Sequence, residues 1–263
     1  MTTRKVQNPN QSGSKAFIWA VVAVIAIALL VIGIIVYNGK ANRSAAKQAE
    51  MIDVTGINVE WNQEEDIIHI TGENKDANKA ELFEDFSCSH CADLHVATDE
   101  QMLEKVRAGE INVDLRPMTA LDGGMTGHST KALAAELALL AHGDFSSAFT
   151  LRNFLFENQQ SAYNKYDENG FADLAADYGA SDEAVKDIRD GKFIDTAKRL
   201  GDDNRKYQED KTGEAWTPRV LVDGEDVEKL VDIEELREIT GNPNLDEKED
   251  SPRDFWPEVL ASR

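Results

Sequence analysis

Two cysteines, Cys88 and Cys91, are the residues of this sequence best suited to do chemistry. They are the only cysteines in the 263-residue chain, and two residues separate them. A pair this close can pass between a dithiol and a disulfide without large movements of the chain. A single pair cannot form the multi-bridge scaffold of small secreted domains, so the spacing indicates redox chemistry rather than structural cross-linking.

The pair is expected at the start of a helix, directly after a strand. Cys88 then lies at the N-cap, where free backbone N–H groups and the helix dipole stabilise a thiolate. His90, when protonated, adds a second positive influence. Each unit by which the pKa of Cys88 falls favours the thiolate by about 1.4 kcal/mol, and a stable thiolate makes the disulfide a stronger oxidant. Cys91 is expected one turn further along, shielded but within disulfide reach.

Other uses of the cysteines are the alternatives to redox chemistry. A structural disulfide that closes a loop of four residues would stabilise the fold by only about 2 kcal/mol in the chain-entropy model. A zinc or copper site would add His90 and His95, but a compact helical turn cannot direct both histidines at one tetrahedral centre. Covalent haem attachment requires histidine directly after the second cysteine, where this chain has Ala92. We therefore predict no metal and no organic cofactor.

Four segments with strand patterns surround this motif. They are rich in β-branched residues or alternate between apolar and polar residues. Their positions are residues 67–70, 80–86, 111–115 and 219–222. The second strand, a helix that starts at the cysteines and the third strand form a βαβ unit. This places the dithiol at the carboxyl end of a strand, where α/β sheets carry their sites.

Helix patterns dominate between the third and fourth strands, from about residue 118 to 213. Ser129, Asp144 and Ser181 precede apolar segments as N-cap residues, and glycines or polar residues follow these segments. Asp232 caps a last helix after the fourth strand. The order of elements predicts an α/β domain that contains a block of helices.

Residues 85–91, with the sequence DFSCSHC, resemble the active-site segment of DsbA-like thiol-disulfide oxidoreductases, a branch of the thioredoxin-fold superfamily. The chain is similar in particular to the membrane-anchored bacterial members. The helical block and the Thr217-Pro218 pair before a strand also match, so the resemblance covers about residues 65–241. It implies an α/β, thioredoxin-like fold with an inserted helical subdomain at about residues 118–213.

The resemblance implies roles for individual residues. Cys88 is expected to attack the substrate, and Cys91 to resolve the mixed disulfide. Thr217 and Pro218 are expected to form a cis-proline loop against the dithiol and, with Ser89, to contact the substrate. The alternative is that this X-Pro pair only begins a strand or turn, as such pairs commonly do. The cis form is nevertheless accessible, because for X-Pro it costs only about 0.5 to 1 kcal/mol. The resemblance implies no cofactor.

The sequence departs from the family at two positions. Ser89 replaces the proline that is most common in the oxidases, and this bears on the redox potential. Leu82 occupies a strand position where many relatives carry a glutamate, and this bears on how Cys91 loses its proton. Glu81 and Glu84 are the candidates to replace that glutamate.

The overall charge excludes one class of partner. The chain carries 28 Lys and Arg against 49 Asp and Glu, for a net charge of −21. A surface this acidic repels phosphate backbones, so nucleic acid is not expected as a partner. The charge run at residues 246–250 lies in residues 242–263, which are expected to form an acidic C-terminal tail whose aromatic residues dock on the domain.

Residues 16–37 predict a single membrane-spanning helix. This run has 22 residues and no charge, and at about 1.5 Å per residue it crosses a hydrocarbon core of roughly 30 Å. A cleaved signal peptide has a shorter apolar segment, typically about 7 to 15 residues. Positive charges flank both ends equally, but the short N-terminal segment and the redox motif favour residues 1–15 in the cytoplasm. Residues 38–60 are then a neck, and residues 61–241 the catalytic domain outside.

These observations predict an extracytoplasmic thiol-disulfide oxidoreductase in the cell membrane. It is expected to oxidise thiols of exported proteins through the Cys88–Cys91 disulfide. A membrane redox partner, linked to quinones in relatives, is expected to reoxidise it. A reductase or isomerase with the same dithiol is one alternative, and a metal-binding or scaffolding envelope protein is another. A measured redox potential would distinguish a reductase or isomerase from an oxidase, because the potentials of this superfamily span about −270 to −120 mV.

Overall fold

A parallel βαβ unit carries the two cysteines. In the computed structural model, β3 (Asn78–Asp85) and β4 (Ile111–Met118) pair in parallel, and α1 (Ser89–Arg107) connects them. β4 is buried along its whole length, as expected for a strand that is covered on both faces. The helix therefore begins at the carboxyl end of β3, as the sequence predicts.

The structure describes Trp19, residues 21–23 and residues 51–263. Trp19 and residues 21–23 are helical, and the rest of the predicted membrane-spanning run at residues 16–37 lies outside the described residues. Among the described residues, no helix has both the length and the hydrophobicity needed to cross a membrane. The membrane-spanning helix stays a prediction.

Four more strands complete a mixed six-stranded sheet in the described part of the chain. They are β1 (Asn58–Asn62), β2 (Ile67–Thr71), β5 (Arg219–Val222) and β6 (Glu225–Asp226). The strand order is β1-β2-β4-β3-β5-β6, and every pair except β3 with β4 is antiparallel. The four strands expected from the sequence are present, and β1 and β6 extend the sheet at its two edges.

Alternation along β3 separates the two faces of the sheet. Leu82 and Glu84 face α1, because both line a small cavity with side chains of that helix. Glu81 faces the opposite side, where it accepts a hydrogen bond of 2.7 Å from the Tyr207 hydroxyl of α7 (Ile194–Thr212). The residues that precede the cysteines are therefore divided between two different environments.

The expected helical subdomain lies between β4 and β5 in the sequence. Its helices are α2 (His128–Ala141), α3 (Phe145–Glu157), α4 (Gln159–Ala162), α5 (Glu168–Asp177), α6 (Asp182–Arg189) and α7. The Ser181 hydroxyl caps α6 by accepting the Ala184 N–H. Asp144 precedes α3 as predicted, but its carboxylate accepts from the N–H and hydroxyl of Ser181 instead of capping its own helix. After the sheet, Asp232 caps α8 (Ile233–Thr240).

The domain begins earlier than expected from the sequence. β1 pairs with β2, so residues 58–60 belong to the sheet and not to a neck. Ile52 and Val54 pack against the core, and the Ile52 N–H donates to Thr150 Oγ1 at 2.9 Å. The expected start at residue 61 is therefore wrong. The sequence of β1 does not reveal a strand, because it contains only one β-branched residue, and the strand forms by pairing with β2.

The end of the chain is part of the domain and not a separate tail at residues 242–263. A 3₁₀ turn at Pro252–Phe255 leads into α9 (Trp256–Ala261). The Trp256 side chain is fully buried, and its indole N–H donates to Thr98 Oγ1 of α1 at 3.2 Å. The expected docking of an aromatic residue from this segment on the domain is therefore confirmed for Trp256. Beyond that expectation, the segment forms a helix, α9, whose apolar side chains are stabilised by burial in the core.

Replacing Trp256 with alanine tests whether α9 belongs to the core. Because the side chain is fully buried, we expect Trp256→Ala to lower the free energy of unfolding by about 3 to 5 kcal/mol. Urea unfolding followed by circular dichroism measures this loss. Met125→Ala removes a side chain that is 73% exposed, and it should change the stability by less than about 0.5 kcal/mol. Equal effects of the two substitutions would contradict the packing of α9.

Candidate active site

Cys88 lies at the junction between β3 and α1. It is the N-cap residue of the helix and has an extended backbone, with φ −85° and ψ 115°. Its N–H donates to the carbonyl oxygen of Asp85 at 2.9 Å, and its own carbonyl oxygen accepts the Cys91 N–H at 3.0 Å. Both cysteines are free thiols, with Cys88 8% exposed and Cys91 2% exposed. Cys88 is therefore the sulfur that an incoming thiol reaches more readily.

The surroundings of Cys88 stabilise its thiolate. The Cys91 thiol donates a hydrogen bond to it, and this effect is larger than the opposing effect of burial. The Thr217 side chain and the backbone N–H groups of Cys91 and His90 contribute further hydrogen bonds. Together they lower the pKa of Cys88 from its ordinary value to about 5. Cys88 is therefore a thiolate at neutral pH in the reduced protein.

Cys91 has the opposite environment. Burial, followed by the hydrogen bond and charge of Cys88, raises the pKa of Cys91 far above its ordinary range. The Asp85 N–H donates to the Cys91 sulfur at 3.4 Å and opposes this rise only in part. The reduced pair therefore holds one thiolate and one thiol, which suits Cys88 to attack and Cys91 to resolve.

The peptide bond between Thr217 and Pro218 is cis, and it lies directly before β5. In its thiol form Cys88 donates to the Thr217 carbonyl oxygen, with 3.4 Å between sulfur and oxygen. Pro218 lines the same small cavity as Cys91. The structure thus places this loop against both cysteines, and its contact with substrate stays a prediction.

Ser89 and His90 form the exposed start of α1. The His90 side chain is 80% exposed, and its Nδ1 lies 3.6 Å from Asp93 Oδ2. The backbone N–H of His90 is among the groups that lower the pKa of Cys88. The roles expected for the His90 ring in activating Cys88 and for Ser89 in contacting substrate stay predictions.

Glu84 is the candidate strand acid that lies near Cys91. It faces α1, and its charge contributes to the raised pKa of Cys91. Glu81 faces the other side of the sheet, where its carboxylate binds Arg116 at 2.9 Å and Lys211 at 2.6 Å. Because side chains alternate along a strand, only one of the two glutamates can share a face with the resolving cysteine.

Asp85 and Gln159 hold the active-site loop in place, although the sequence does not single them out for this role. The buried Asp85 carboxylate accepts the Ser87 N–H at 2.9 Å and the Ser129 hydroxyl. Gln159 Nε2 donates to the Cys88 carbonyl oxygen at 2.8 Å. Asp85 could have been found from its position three residues before Cys88, whereas nothing near Gln159 in the sequence indicates the site.

The two histidines near the dithiol point in different directions. His90 is exposed beside Asp93, whereas His95 is buried, with its Nε2 2.9 Å from Asn153 Oδ1. Across the residues that the structure describes, no group of three or more His, Cys, Asp or Glu side chains is arranged to hold a metal ion. His90 and His95 therefore do not converge with the cysteines on one centre.

Absorbance titration of the thiolate tests the electrostatics of Cys88. In the reduced wild type we expect a pKa of about 5, well below the value of about 8.5 for a free cysteine. Thr217→Val removes a hydrogen bond to the thiolate and should raise this pKa. Because the His90 ring is largely exposed, His90→Ala should raise it by less than about one unit. A wild-type pKa like that of free cysteine would contradict the stabilisation of the thiolate.

A family model described as thioredoxin matches residues 64–241, which is more than half of the chain. The match extends from before β2 to the end of α8, so it includes both cysteines and the cis peptide bond. Comparison of the sequence with curated proteins finds no match.

Solved structures show a more specific similarity. The MdbA protein of Corynebacterium diphtheriae, a thiol-disulfide oxidoreductase, is 31% identical with a TM-score of 0.69, over 81% of this chain and 98% of that one. The MdbA protein of Corynebacterium matruchotii is 29% identical with a TM-score of 0.66, over 73% of this chain and 95% of that one. DsbA from Mycobacterium tuberculosis shares the fold, with 18% identity and a TM-score of 0.51, over 74% of this chain and 99% of that one.

The fold, the dithiol and these similarities lead to one conclusion. A cysteine pair with one stabilised thiolate and one buried thiol stands at the start of the helix that follows β3, opposite a cis-proline loop. The family match and the similarity to both MdbA proteins cover this region. The chain belongs to the thioredoxin family and is a DsbA-like thiol-disulfide oxidoreductase.

Proposed function

We propose that this enzyme works as an oxidase that transfers its Cys88–Cys91 disulfide to the thiols of exported proteins. The stabilised thiolate of Cys88, with a pKa of about 5, is the observation that carries this direction. A stable thiolate favours the reduced form of the enzyme, so its disulfide is a stronger oxidant. Each unit by which the pKa is lowered corresponds to about 1.4 kcal/mol, or roughly 30 mV for a two-electron couple.

The proposed cycle begins with the oxidised enzyme. A substrate thiolate attacks the Cys88 sulfur, a new S–S bond forms, and the bond to Cys91 breaks with its electron pair on the Cys91 sulfur. A second substrate thiolate then attacks the substrate sulfur of the mixed disulfide and releases Cys88 as a thiolate. The low pKa of Cys88 makes it a good leaving group in this second step. The substrate has then lost two electrons, and the dithiol has gained them.

The surface around Cys88 supports the proposed substrate contacts. The Thr217 carbonyl oxygen lies 3.4 Å from the Cys88 sulfur, and Pro218 follows it in the same loop. Ser89 and His90 directly follow Cys88 in the chain, and both are exposed. A substrate thiolate that approaches Cys88 therefore meets the cis-proline loop and the first turn of α1.

The location of the enzyme and its recycling are a further part of this proposal. The uncharged run at residues 16–37 supports a single membrane anchor, with residues 1–15 in the cytoplasm and the catalytic domain outside. An oxidising exterior suits a dithiol enzyme that donates disulfides. A redox partner in the same membrane then reoxidises the dithiol.

Substrate trapping tests the division of roles between the cysteines. Cys91→Ser removes the resolving thiol. When Cys88 of this variant is first converted to its mixed disulfide with glutathione, a thiolate of a reduced, unfolded substrate protein should attack the Cys88 sulfur and release glutathione, and the resulting adduct should persist on non-reducing gels. Cys88→Ser should give no such adducts, because Cys91 is only 2% exposed and keeps its proton. Adducts formed through Cys91 alone would show that the attacking residue has been misassigned.

Two measurements test the direction of the reaction: disulfide formation in the same reduced substrate protein, and the redox potential of the enzyme. The oxidised wild-type chain should form disulfides in the substrate, and equilibration with glutathione should give a potential above about −200 mV. A reductase would instead have a potential near the roughly −270 mV of thioredoxin. The double substitution of both cysteines by serine is the control that should abolish exchange.

Labelling of intact cells tests the location. After mild reduction, a thiol reagent that cannot cross membranes should modify Cys88, because in the proposed topology both cysteines follow the anchor at residues 16–37 and lie outside the cell membrane. Cys88→Ser should abolish most of the labelling, since Cys91 is the less exposed thiol. Labelling only after lysis would reject the extracytoplasmic location.

A further inference from the structure

Arg219 is a buried arginine that directly follows the cis-proline loop. It is the first residue of β5, and it pairs with Phe83 of β3 across the sheet. A buried guanidinium is costly unless its charge is compensated and its N–H groups are bonded. The bonding partners of Arg219 therefore show which parts of the chain this side chain holds together.

Two nitrogens of the Arg219 guanidinium bind Asp226 of β6. Nε donates to Oδ1 at 2.6 Å, and Nη2 donates to Oδ2 at 3.1 Å. This pairing by two parallel bonds fixes the plane of the guanidinium. The bonds from Arg219, together with one from Lys229 at 2.9 Å, hold the pKa of the Asp226 carboxyl below its ordinary value. Asp226 is therefore a fixed anion that anchors Arg219.

The third nitrogen of the guanidinium binds the chain that leads to the cis-proline loop. Nη1 donates to the Thr212 hydroxyl at 2.7 Å and to the Glu214 carbonyl oxygen at 3.1 Å. Thr212 is the last residue of α7, and Glu214 lies between this helix and Thr217. Arg219 therefore joins β6 to the segment that precedes Thr217.

Trp216, the residue before Thr217, is held on two sides. The guanidinium carbon of Arg219 lies 4.9 Å from the centre of the Trp216 ring, which is within the range of a cation–π contact. The Trp216 N–H donates at 2.6 Å to Oε1 of Gln208, a fully buried residue of α7. The ring and the backbone of the residue before Thr217 are therefore both fixed.

Thr217, the residue held in this way, is the one that contacts the attacking cysteine. Its carbonyl oxygen lies 3.4 Å from the Cys88 sulfur, and its side chain is among the groups that stabilise the Cys88 thiolate. A hydrogen bond weakens steeply as its geometry departs from the favoured one, so Thr217 acts on the sulfur only while it keeps its position. The contacts of Arg219 therefore reach the reacting sulfur through Thr217.

The strand pairing of β5 begins at Arg219, so it fixes the chain after Pro218 but not the segment before Thr217. We propose that Arg219 is a positioning residue of the active site: its side chain binds the segment before Thr217 to β6 and so keeps Thr217 against the Cys88 sulfur. This role belongs to thiol-disulfide exchange itself, so it applies to an oxidase and to a reductase alike.

Thiolate absorbance of the reduced full chain tests the proposal. Arg219→Met keeps most of the side-chain volume and removes all the donors, while Asp226 keeps its ion pair with Lys229. Because Thr217 is then no longer held against the sulfur, we expect the pKa of Cys88 to rise from about 5 by about one unit, which is a tenfold change in the ratio of thiolate to thiol. An unchanged pKa in a folded Arg219→Met variant would overturn the proposal.

Arg116→Met is the matched control. Arg116 is also a buried arginine of the sheet, it binds Glu81 at 2.9 Å, and Glu81 keeps its ion pair with Lys211 when Arg116 is replaced. Within the described residues, the hydrogen bonds of the Arg116 side chain go to Glu81 and to α7, and none goes to the cis-proline loop. Arg116→Met should therefore leave the pKa of Cys88 unchanged. Equal rises in the two methionine variants would contradict a specific role of Arg219.

A double substitution tests whether Arg219 acts through Thr217. Thr217→Val by itself removes a hydrogen bond to the thiolate and should raise the pKa of Cys88. Residues that act through one contact have effects that do not add, so Arg219→Met should raise this pKa much less in the Thr217→Val background than in the wild type. Two rises that add in full would show that Arg219 does not act through Thr217.

Thr212→Val decides the question if Arg219→Met does not fold. This substitution removes the hydroxyl to which Arg219 Nη1 donates and keeps the shape of the side chain. The pKa of Cys88 should then rise by less than a full removal of the arginine would cause, and an unchanged pKa would reject the proposal. A chain that shows these shifts but oxidises no substrate protein would reject the proposed function and leave the role of Arg219 standing.

Discussion

Hydrogen bonds to the Cys88 sulfur stabilise a thiolate at the start of α1, and the reactivity of this enzyme depends on them. The largest contribution comes from the Cys91 thiol, so each cysteine sets the protonation of the other. Cys88 is charged because donors surround it, and Cys91 is neutral because it is buried below the first turn of the helix. The remaining elements of the domain keep the two sulfurs in these different surroundings.

The helical subdomain contributes to the chemistry as well as to the core. Gln159 donates to the Cys88 carbonyl oxygen, and Ser129 donates to the Asp85 carboxylate. Helices that follow β4 in the sequence therefore hold the active-site loop. Arg152 compensates the charge of Glu84, and both side chains line the cavity that Cys91 also lines. Without these partners, the carboxylates beneath the dithiol would be uncompensated charges in a region of low polarity, which is strongly destabilising.

The C-terminal segment supports the same helix from another direction. Trp256 packs beneath α1 and donates to Thr98, two turns along the helix from Cys91. Arg253 extends toward the cis-proline loop, with its Nη1 3.5 Å from the Pro218 carbonyl oxygen. Both sides of the dithiol, the redox helix and the facing loop, are therefore in contact with the last residues of the chain.

The sequence by itself determined the chemistry and the elements that present it. The spacing of the cysteines, the alternation in the strands and the capping residues Ser181 and Asp232 are local features, and they act through the backbone close to them. For the same reason the βαβ unit and the position of Cys88 at a helix start could be predicted before any long-range contact was known. The resemblance of a short motif added the cis-proline loop.

Only the tertiary structure decided which side chains surround the sulfurs and how they are charged. Arg152 looks like an ordinary helix residue in the sequence, and α9 follows a strongly acidic stretch. Their effects arise from desolvation and from partners far away in the chain, such as Arg152 with Glu84 and Trp256 with Thr98. Burial and charge compensation are properties of the assembled core, so no local pattern in the sequence reveals them.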